Sequence, residues 1–139
     1  MLESRLMFEI KLRTYWKDTD PAGIVYYSNY FNFVEQAEEE MFRAHGANRQ
    51  DLLQQHKIWM PRVECFFKFV RPIRIGTMIR VRLNHQFKGT KTIRYEIEIV
   101  EDASGEKLAE GYTVVVCVDA ARFKAVPIPN PVRIAIDGK

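Results

Sequence analysis

The residues with the clearest chemical potential lie in one stretch that joins a predicted strand to a predicted helix. This stretch reads Asp18-Thr19-Asp20-Pro21-Ala22-Gly23-Ile24-Val25-Tyr26-Tyr27-Ser28-Asn29-Tyr30. A carboxylate here lies beside a helix N-terminus, where free N–H groups and the positive end of the helix dipole stabilise negative charge. Asp20 is therefore a candidate to act on a bound carbonyl group, which backbone N–H groups near Tyr27 would polarise in the manner of an oxyanion hole.

The two aspartates also have an ordinary structural interpretation. Aspartate favours turns and helix N-caps, because its carboxylate accepts hydrogen bonds from nearby backbone N–H groups. Pro21 and Gly23 are turn residues as well. From residue type and spacing alone, a turn former or a helix cap is the more frequent role for Asp18 or Asp20. Both interpretations therefore stay open at this point.

Other catalytic and metal-binding patterns are absent from the sequence. The histidines His45, His56 and His85 are far apart and follow no metal-ligand spacing. There is no Gly-rich phosphate loop, and no serine or cysteine has the setting of a nucleophile elbow. The sequence therefore predicts a site without a metal. The glutamates on the predicted helix are expected to form a solvated face, namely Glu38, Glu39 and Glu40.

The composition is that of one globular domain, which we expect to span residues 1–139. Apolar residues make up 47% and charged residues 28% of the chain, which excludes a disordered or collagen-like protein. The net charge of +3 is too small to indicate nucleic-acid binding, and no apolar run approaches the about 20 residues of a transmembrane helix.

Glu3 and Arg5 interrupt the N-terminus, which therefore lacks a signal-peptide core. Two cysteines are too few for a disulfide scaffold, so we interpret Cys65 and Cys117 as buried free thiols of a cytoplasmic protein.

Hydrophobic periodicity predicts the elements that position these groups. Alternation from Phe8 to Trp16 predicts a half-buried strand, helical spacing from Asn29 to Ala44 predicts a long helix, and residues 49–56 suit a short second helix. Alternating runs then predict a meander of about four strands, near residues 63–69, 79–87, 93–99 and 108–118. The proline-rich segment 127–131 is expected to end extended.

Together, these elements indicate an α+β fold in which one long helix packs across an antiparallel sheet. Such a layout leaves one sheet face and at least one sheet edge without cover. Association into dimers or larger assemblies would cover both.

The stretch DTDPAGIVYYSNYFNFVEQAEEE resembles the active-site signature of the 4-hydroxybenzoyl-CoA thioesterase family, which has the hotdog fold. In that signature, two aspartates precede a Gly-Val/Ile-Val segment, an aromatic residue, a Tyr or His, and an aromatic-rich helix. The order of elements and the segment RPIRIGT also agree, so the resemblance covers nearly the whole chain. It implies a hotdog fold with one long helix on a five-stranded antiparallel sheet.

The resemblance assigns roles to individual residues. It implies that Asp20 is the catalytic carboxylate, as a nucleophile or as a general base, and that the backbone N–H of Tyr27 polarises the carbonyl. Asp18 and Gly23 would support the loop. A helix glutamate is the catalytic group in a second thioesterase branch, which makes Glu35 a further candidate. Because Asp20 is present, we expect a supporting or solvated role for Glu35.

Coenzyme A would enter as part of the substrate and leave as a product, and its phosphates call for basic residues. The turn formed by Lys88, Gly89, Thr90 and Lys91 is the first candidate, because Gly89 allows close backbone approach and two ammonium groups flank it. Arg71 is the next candidate. The turn also has the alternative interpretation of an ordinary hairpin connection.

The resemblance thus implies an acyl-CoA thioesterase without a metal or redox cofactor, whose active site lies at the interface of a homodimer, in a dimer or a tetramer. Neither nucleic-acid binding nor membrane insertion is expected. A thioesterase for acyl carrier protein and a non-catalytic acyl-CoA-binding module remain as alternatives. A hotdog hydratase or dehydratase is disfavoured, because such enzymes use a histidine in the cleft and none lies between Met1 and Ala44.

Overall fold

The computed structural model describes residues 7–139, in three helices and seven strands. The expectations for the N-terminus and for the first residues of the domain concern residues 1–6, which lie outside the described residues. The helices are α1 (Asn29–Ala44), α2 (Arg49–His56) and α3 (Asn130–Asp137). The strands are β1 (Met7–Arg13), β2 (Ile58–Trp59), β3 (Arg62–Phe69), β4 (Met78–Lys88), β5 (Thr92–Glu101), β6 (Lys107–Val116) and β7 (Val118–Asp119).

Five strands form one antiparallel sheet in the order β1-β4-β5-β6-β3. The predicted α+β class, with one long helix on a five-stranded antiparallel sheet, is confirmed. The expected four-strand meander holds for β4, β5 and β6, whereas β3 pairs with β6 and so lies at an edge of the sheet. Because β1 takes the place beside β4, the connection after β3 must cross the sheet before β4 begins.

Helix α1 covers one face of the sheet with its apolar side. Residues at helical spacing on α1 are buried, among them Phe33, Val34, Ala37 and Met41. They pack against the inward-facing side chains of the central strands, namely Ile79, Val81, Leu83, Ile93, Ile97 and Ile99. This face of the sheet and the helix together form the hydrophobic core.

The opposite face of the sheet carries ion pairs between neighbouring strands. Arg82 on β4 donates from Nε to Glu9 on β1 (2.6 Å) and from Nη1 to Glu98 on β5 (3.1 Å). Arg80 donates from Nε to Asp102 (2.5 Å). This face is therefore polar enough to be exposed to water. The β3 edge, where backbone groups lack a neighbouring strand, is the part of the sheet that most needs a partner.

The proline-rich C-terminal segment differs from the prediction, because it continues into helix α3. Pro131 lies in the first turn of α3, where its missing N–H removes no helical hydrogen bond. Three side chains of α3 are buried in the core, namely Val132, Ala135 and Ile136. His45 at the end of α1 contacts α3 through a hydrogen bond of 2.6 Å between its Nδ1 and the Ala135 carbonyl oxygen.

One of the two cysteines differs from the prediction of buried thiols. Cys117 is fully buried and burial raises the pKa of its thiol, but Cys65 is exposed. Cys65 lies on β3, and that strand has a neighbour on one side only. No helix in residues 7–139 is both long enough and apolar enough to cross a membrane.

Candidate active site

Asp18 fixes the start of the loop between β1 and α1. It closes a single 3-10 turn that begins at Trp16, and it is buried. Its Oδ2 accepts a hydrogen bond from the Tyr15 N–H (2.8 Å), and its carbonyl oxygen accepts from the Tyr26 N–H (2.9 Å) and from the Asn29 side-chain amide (2.8 Å). Asp18 therefore ties the loop to the first turn of α1.

Asp20 lies on a tight hairpin inside this loop. Its N–H donates to the Ile24 carbonyl oxygen (3.0 Å), and its own carbonyl oxygen accepts from the Gly23 N–H (2.9 Å). Gly23 has a φ of +79°, a conformation that favours glycine. The Oδ1 atom of Asp20 accepts from the Ala22 N–H (2.9 Å), as in an Asx turn.

The turn-forming role of Asp20 leaves its second carboxylate oxygen available. Oδ2 makes no hydrogen bond to any residue in the range 7–139, and the side chain is partly exposed. The two interpretations of Asp20 left open by the sequence are therefore compatible. One oxygen takes part in the turn, and within residues 7–139 the other has no hydrogen-bond partner.

Tyr27 presents a free backbone N–H beside this hairpin. It immediately precedes Ser28, the N-cap of α1, and within the described chain its N–H has no hydrogen-bond acceptor. Its carbonyl oxygen accepts from the Tyr30 N–H (3.3 Å), and this bond ties Tyr27 to the first turn of the helix. Its side chain points outward and is 61% exposed. The N–H can therefore bind an oxygen atom at the positive end of α1.

The connection between β3 and β4 packs against the Asp20 loop. The Val25 N–H donates to the Ile73 carbonyl oxygen (2.7 Å), and Ile24 forms a β-bridge with Arg74. Arg71 lies on the same connection and pairs with Glu106 (3.3 Å between Nε and Oε1). The structure thus brings the Arg71 segment to the loop.

The turn with Lys88, Thr90 and Lys91 lies at the other end of the sheet. Arg13, from which the chain leaves β1 for the Asp20 loop, pairs with Met78 at the beginning of β4. Lys88 is ten residues further along β4, a separation of about 34 Å. Within one protomer, the structure therefore does not bring this turn and Asp20 together.

Glu35 lies apart from Asp20, on the side of α1 that faces α2. Its carboxylate accepts a hydrogen bond from the Arg49 guanidinium, and this bond lowers the pKa of Glu35. Glu35 lines a cavity of about 550 Å³, together with Glu38, Arg62 and Tyr95. The supporting or solvated role expected for Glu35 stays a prediction.

The burial of Glu38 contradicts the predicted solvated face. Its side chain is only 6% exposed, and its Oε1 accepts from Arg62 Nη2 (2.7 Å) and lies 3.6 Å from Arg49 Nη1. Burial raises the pKa of Glu38, against the opposing effect of the Arg62 hydrogen bond. The helical spacing placed Glu38 near the apolar face, but its basic partners belong to β3 and α2, which the sequence alone did not pair with α1.

Exposed apolar side chains surround the Asp20 loop and continue along β3. Trp16 is 82% exposed, and Val63, Phe66 and Phe69 on β3 are each about half exposed or more. Among residues 7–139 there is no group of three histidine, cysteine or acidic side chains that could hold a metal ion. The arrangement suits carbonyl chemistry at Asp20 and Tyr27, beside a surface that a second chain could cover.

Comparison with known proteins identifies similar chains. A sequence profile described as the thioesterase-like superfamily matches residues 14–136. The acyl-CoA thioester hydrolase YbgC of Escherichia coli O6:H1 is 29% identical over 127 residues, which are 91% of this chain and 92% of that protein. A solved 1,4-dihydroxy-2-naphthoyl-CoA thioesterase from Synechocystis has a TM-score of 0.88 and 25% identity, over 94% of this chain and 95% of that one. A gentisyl-coenzyme A thioesterase has a TM-score of 0.78 and 27% identity, over 92% and 98%.

Proposed function

This chain belongs to the thioesterase-like superfamily, and from that premise we propose that it hydrolyses acyl-CoA thioesters at the loop that carries Asp20. The observation that carries the proposal concerns two groups near the N-terminus of α1. In the part of the chain that the structure describes, one carboxylate oxygen of Asp20 and the backbone N–H of Tyr27 have no hydrogen-bond partner. The relatives support the acyl-CoA class, because those named above are thioester hydrolases or thioesterases.

The geometry supports two routes, and Asp20 is central to both. As a nucleophile, Asp20 attacks the thioester carbonyl carbon, the C–S bond breaks and coenzyme A leaves as a thiolate. Water then hydrolyses the resulting anhydride, which regenerates the Asp20 carboxylate and releases the proton that converts the thiolate to the thiol. As a general base, Asp20 takes a proton from the attacking water, and the thiolate leaving group receives a proton. In either route, the Tyr27 N–H and the dipole of α1 stabilise the developing oxyanion. Neither route uses a metal or a redox cofactor.

The active site is completed by a second copy of the chain. β3 is an edge strand with exposed apolar side chains, and an uncovered edge of this kind favours pairing with another strand. Antiparallel pairing of the whole of β3 with its copy places the Arg62 end of one strand beside the Phe69 end of the other. Phe69 packs against Tyr30 in the first turn of α1, with ring centroids 4.8 Å apart. The cavity beside Arg62 would therefore adjoin the Asp20 loop of the other copy.

The dimer also bears on the binding of coenzyme A. Arg71 lies on the connection that packs against the Asp20 loop, so it is the basic residue that we assign to the phosphates of a substrate bound there. Lys88, Thr90 and Lys91 are too far from that loop to act in the same protomer, so any role for them would be at the site of another copy.

The test is an assay of thiol release by wild type and Asp20→Asn against acyl-CoAs with short, long and aromatic acyl groups. We expect hydrolysis by wild type and a fall in kcat/KM of at least about a hundredfold in the variant, because the amide is neither a nucleophile nor a base. The matched control is Asp51→Asn, since Asp51 is exposed on α2 and lies outside the loop. Equal activity of Asp20→Asn and wild type would refute the role of Asp20. Absence of hydrolysis of any acyl-CoA would favour an acyl-carrier-protein substrate or a non-catalytic module.

A further inference from the structure

Tyr27 lies in a turn that joins the Asp20 loop to helix α1. The Asn29 N–H donates to the Tyr26 carbonyl oxygen (2.9 Å), which closes a four-residue turn with Tyr27 and Ser28 at its middle positions. Within residues 7–139, the Tyr27 N–H has no hydrogen-bond acceptor. The direction of this N–H therefore depends on the bonds that hold the two ends of the turn.

Both ends of the turn are bonded to one oxygen atom. The Asp18 carbonyl oxygen accepts from the Tyr26 N–H (2.9 Å) and from Nδ2 of the Asn29 side chain (2.8 Å). Asp18 lies two residues before Asp20, so these two bonds fix the turn relative to the Asp20 hairpin. Only the bond from Asn29 comes from a side chain, and a substitution can therefore remove it while the bond from Tyr26 remains.

The hydrogen bonds of the helix itself hold this turn less closely. The Tyr30 nitrogen lies 3.3 Å from the Tyr27 carbonyl oxygen, beyond about 3.2 Å, which is the upper end of the usual range. Ser28 is the N-cap of α1, but its side chain makes no capping hydrogen bond. The 2.8 Å bond from Asn29 is therefore a closer restraint on the turn than the first hydrogen bond of the helix.

A second amide group fixes the orientation of the Asn29 side chain. A carbonyl oxygen only accepts hydrogen bonds, so the Nδ2 atom of Asn29 must face Asp18, and its Oδ1 atom is left for another donor. This Oδ1 accepts from Nδ2 of Asn32, about one turn further along α1 (2.8 Å). Asn32 is exposed, and Asn29 is half-buried. A chain of hydrogen bonds thus runs from Asn32 through Asn29 to the Asp18 carbonyl oxygen.

We propose that Asn29 is a positioning residue for thioester hydrolysis, which holds the Tyr27 N–H in the direction of the substrate carbonyl oxygen through its bond to Asp18. This inference rests on the proposed function, in which the Tyr27 N–H stabilises the developing oxyanion. Asn32 supports Asn29 by holding its amide group. The contact of the N–H with the oxygen strengthens as charge develops, so misdirection of the N–H lowers kcat more than it changes KM.

The first test measures kcat and KM for wild type, Asn29→Ala, Asn32→Ala and the double variant, with rates expressed per folded protein. The substrate is the acyl-CoA that wild type hydrolyses fastest. We expect kcat to fall about tenfold or more in Asn29→Ala with little change in KM, since a misplacement of about 1 Å can cost about a hundredfold in rate. Asn32→Ala should show a smaller loss. The double variant should match Asn29→Ala, because Asn32 acts only through Asn29.

The control variant is Asn130→Ala, which makes the same change at the first residue of another helix, α3. Asn130 is exposed. The segment before α3 is bonded to Thr90, at the other end of the sheet from the Asp20 loop (2.8 Å from the Ile128 nitrogen to the Thr90 carbonyl oxygen). Its kcat should equal that of wild type. Equal kcat values for Asn29→Ala and wild type would overturn the inference, and so would losses that simply add in the double variant.

The second test needs no hydrolysis. Nitrogen NMR relaxation gives an order parameter for each backbone N–H, and a rigid backbone has a value of about 0.85. We expect the value for Tyr27 to fall toward about 0.6 in Asn29→Ala and to stay at that of wild type in Asn130→Ala. The Ala22 N–H, which donates to Asp20 Oδ1, is the internal control and should keep its value.

An unchanged order parameter at Tyr27 in Asn29→Ala would overturn the inference even in an active enzyme. A fall that extends to Ala22 would also overturn it, because Asn29 would then hold the whole loop together and not the Tyr27 N–H in particular. A fall at Tyr27 without one at Ala22, in a protein that hydrolyses no acyl-CoA, would contradict the proposed function and would still support the control of Tyr27 by Asn29. The two tests therefore separate failure of the inference from failure of the proposed function.

Discussion

At the scale of single residues, the two aspartates in the loop between β1 and α1 make different hydrogen bonds. Asp18 uses Oδ2 and its carbonyl oxygen to hold Tyr15, Tyr26 and Asn29 in place. Asp20 uses one oxygen for the turn, and its other oxygen has no partner among the described residues. Two aspartates that are two residues apart therefore differ in their hydrogen bonds, because the surrounding donors differ.

The buried carboxyl group of Glu38 gives a prediction about pH. Burial raises the pKa of Glu38 above 4.5 in the folded protein, despite the guanidinium groups of Arg62 and Arg49, and the carboxylate of Glu35 raises it further. Above pH 4.5 and up to the folded-state pKa, the native state binds more protons at this residue than the unfolded chain does. The contribution of Glu38 to the free energy of unfolding therefore falls as pH rises.

Glu38→Gln cannot titrate and provides the comparison. We expect the free energy of unfolding of wild type minus that of Glu38→Gln to decrease as pH rises from 4.5. Urea denaturation of both proteins at several pH values measures this difference. An increase with pH would mean that the ion pairs with Arg62 and Arg49 outweigh the cost of burial.

The sequence predicted the residues of the loop better than the residues of the cavity. Asp20, Gly23 and Tyr27 are contiguous with a recognisable motif, so residue type and order were enough to select them. Glu38 was expected on a solvated face. Its burial depends on Arg62, which is distant in sequence and lies beside Glu38 only in the folded chain. A glutamate near the apolar spacing of α1 was the one signal available beforehand.

At the scale of elements, β3 and β6 approach each other closely at Gly111. A Cβ atom on this residue would lie 1.9 Å from the backbone carbonyl oxygen of Phe66. We expect Gly111→Ala to lower the free energy of unfolding by about 3 kcal/mol or more, because backbone atoms on both strands would have to move. Urea denaturation, or loss of folded protein on expression, measures the effect.

Gly76→Ala is the matched control for this substitution. Gly76 has a φ of +81°, and a Cβ atom there would have no neighbour within 4 Å. This variant should lose about 1 kcal/mol through backbone strain alone. Similar losses in the two variants would show that β3 and β6 can separate at Gly111 at little cost.

The elements themselves were largely predictable from periodicity. The bounds of α1 and α2 agree with those expected, because each has a clear change of pattern at both ends. Helix α3 was missed, since prolines at 127, 129 and 131 hid a short amphipathic pattern whose burial depends on contacts with distant parts of the chain. The position of β3 beside β6 was missed because local alternation does not determine which strands pair.

At the scale of the whole molecule, the family and the hotdog fold inferred from the sequence are confirmed by the profile match and by the solved relatives. The assignment to the thioester hydrolases is confirmed as well. The motif extends over a loop and a helix, and this length made the assignment possible. The assembly of copies could not be predicted in detail, because it depends on which edge remains exposed after folding.

The proposed dimer predicts a coupled loss of association and activity. Val63 on β3 is 62% exposed, and a lysine there would place a charge on the edge that we expect to pair. Val63→Lys should shift the protein from dimer to monomer in sedimentation experiments and remove most of the thioesterase activity. Ile134→Lys is the control, because Ile134 is 53% exposed on α3, away from that edge. A fully active monomer would contradict a site shared between copies.

The exposed β3 edge has a further consequence for the protein at low abundance. If each reaction needs the cavity of one chain and the Asp20 loop of another, the active species is bimolecular. Below the dissociation constant of the dimer, its concentration follows the square of the concentration of single chains. Halving the gene dosage would then lower the hydrolysis rate about fourfold, by mass action alone.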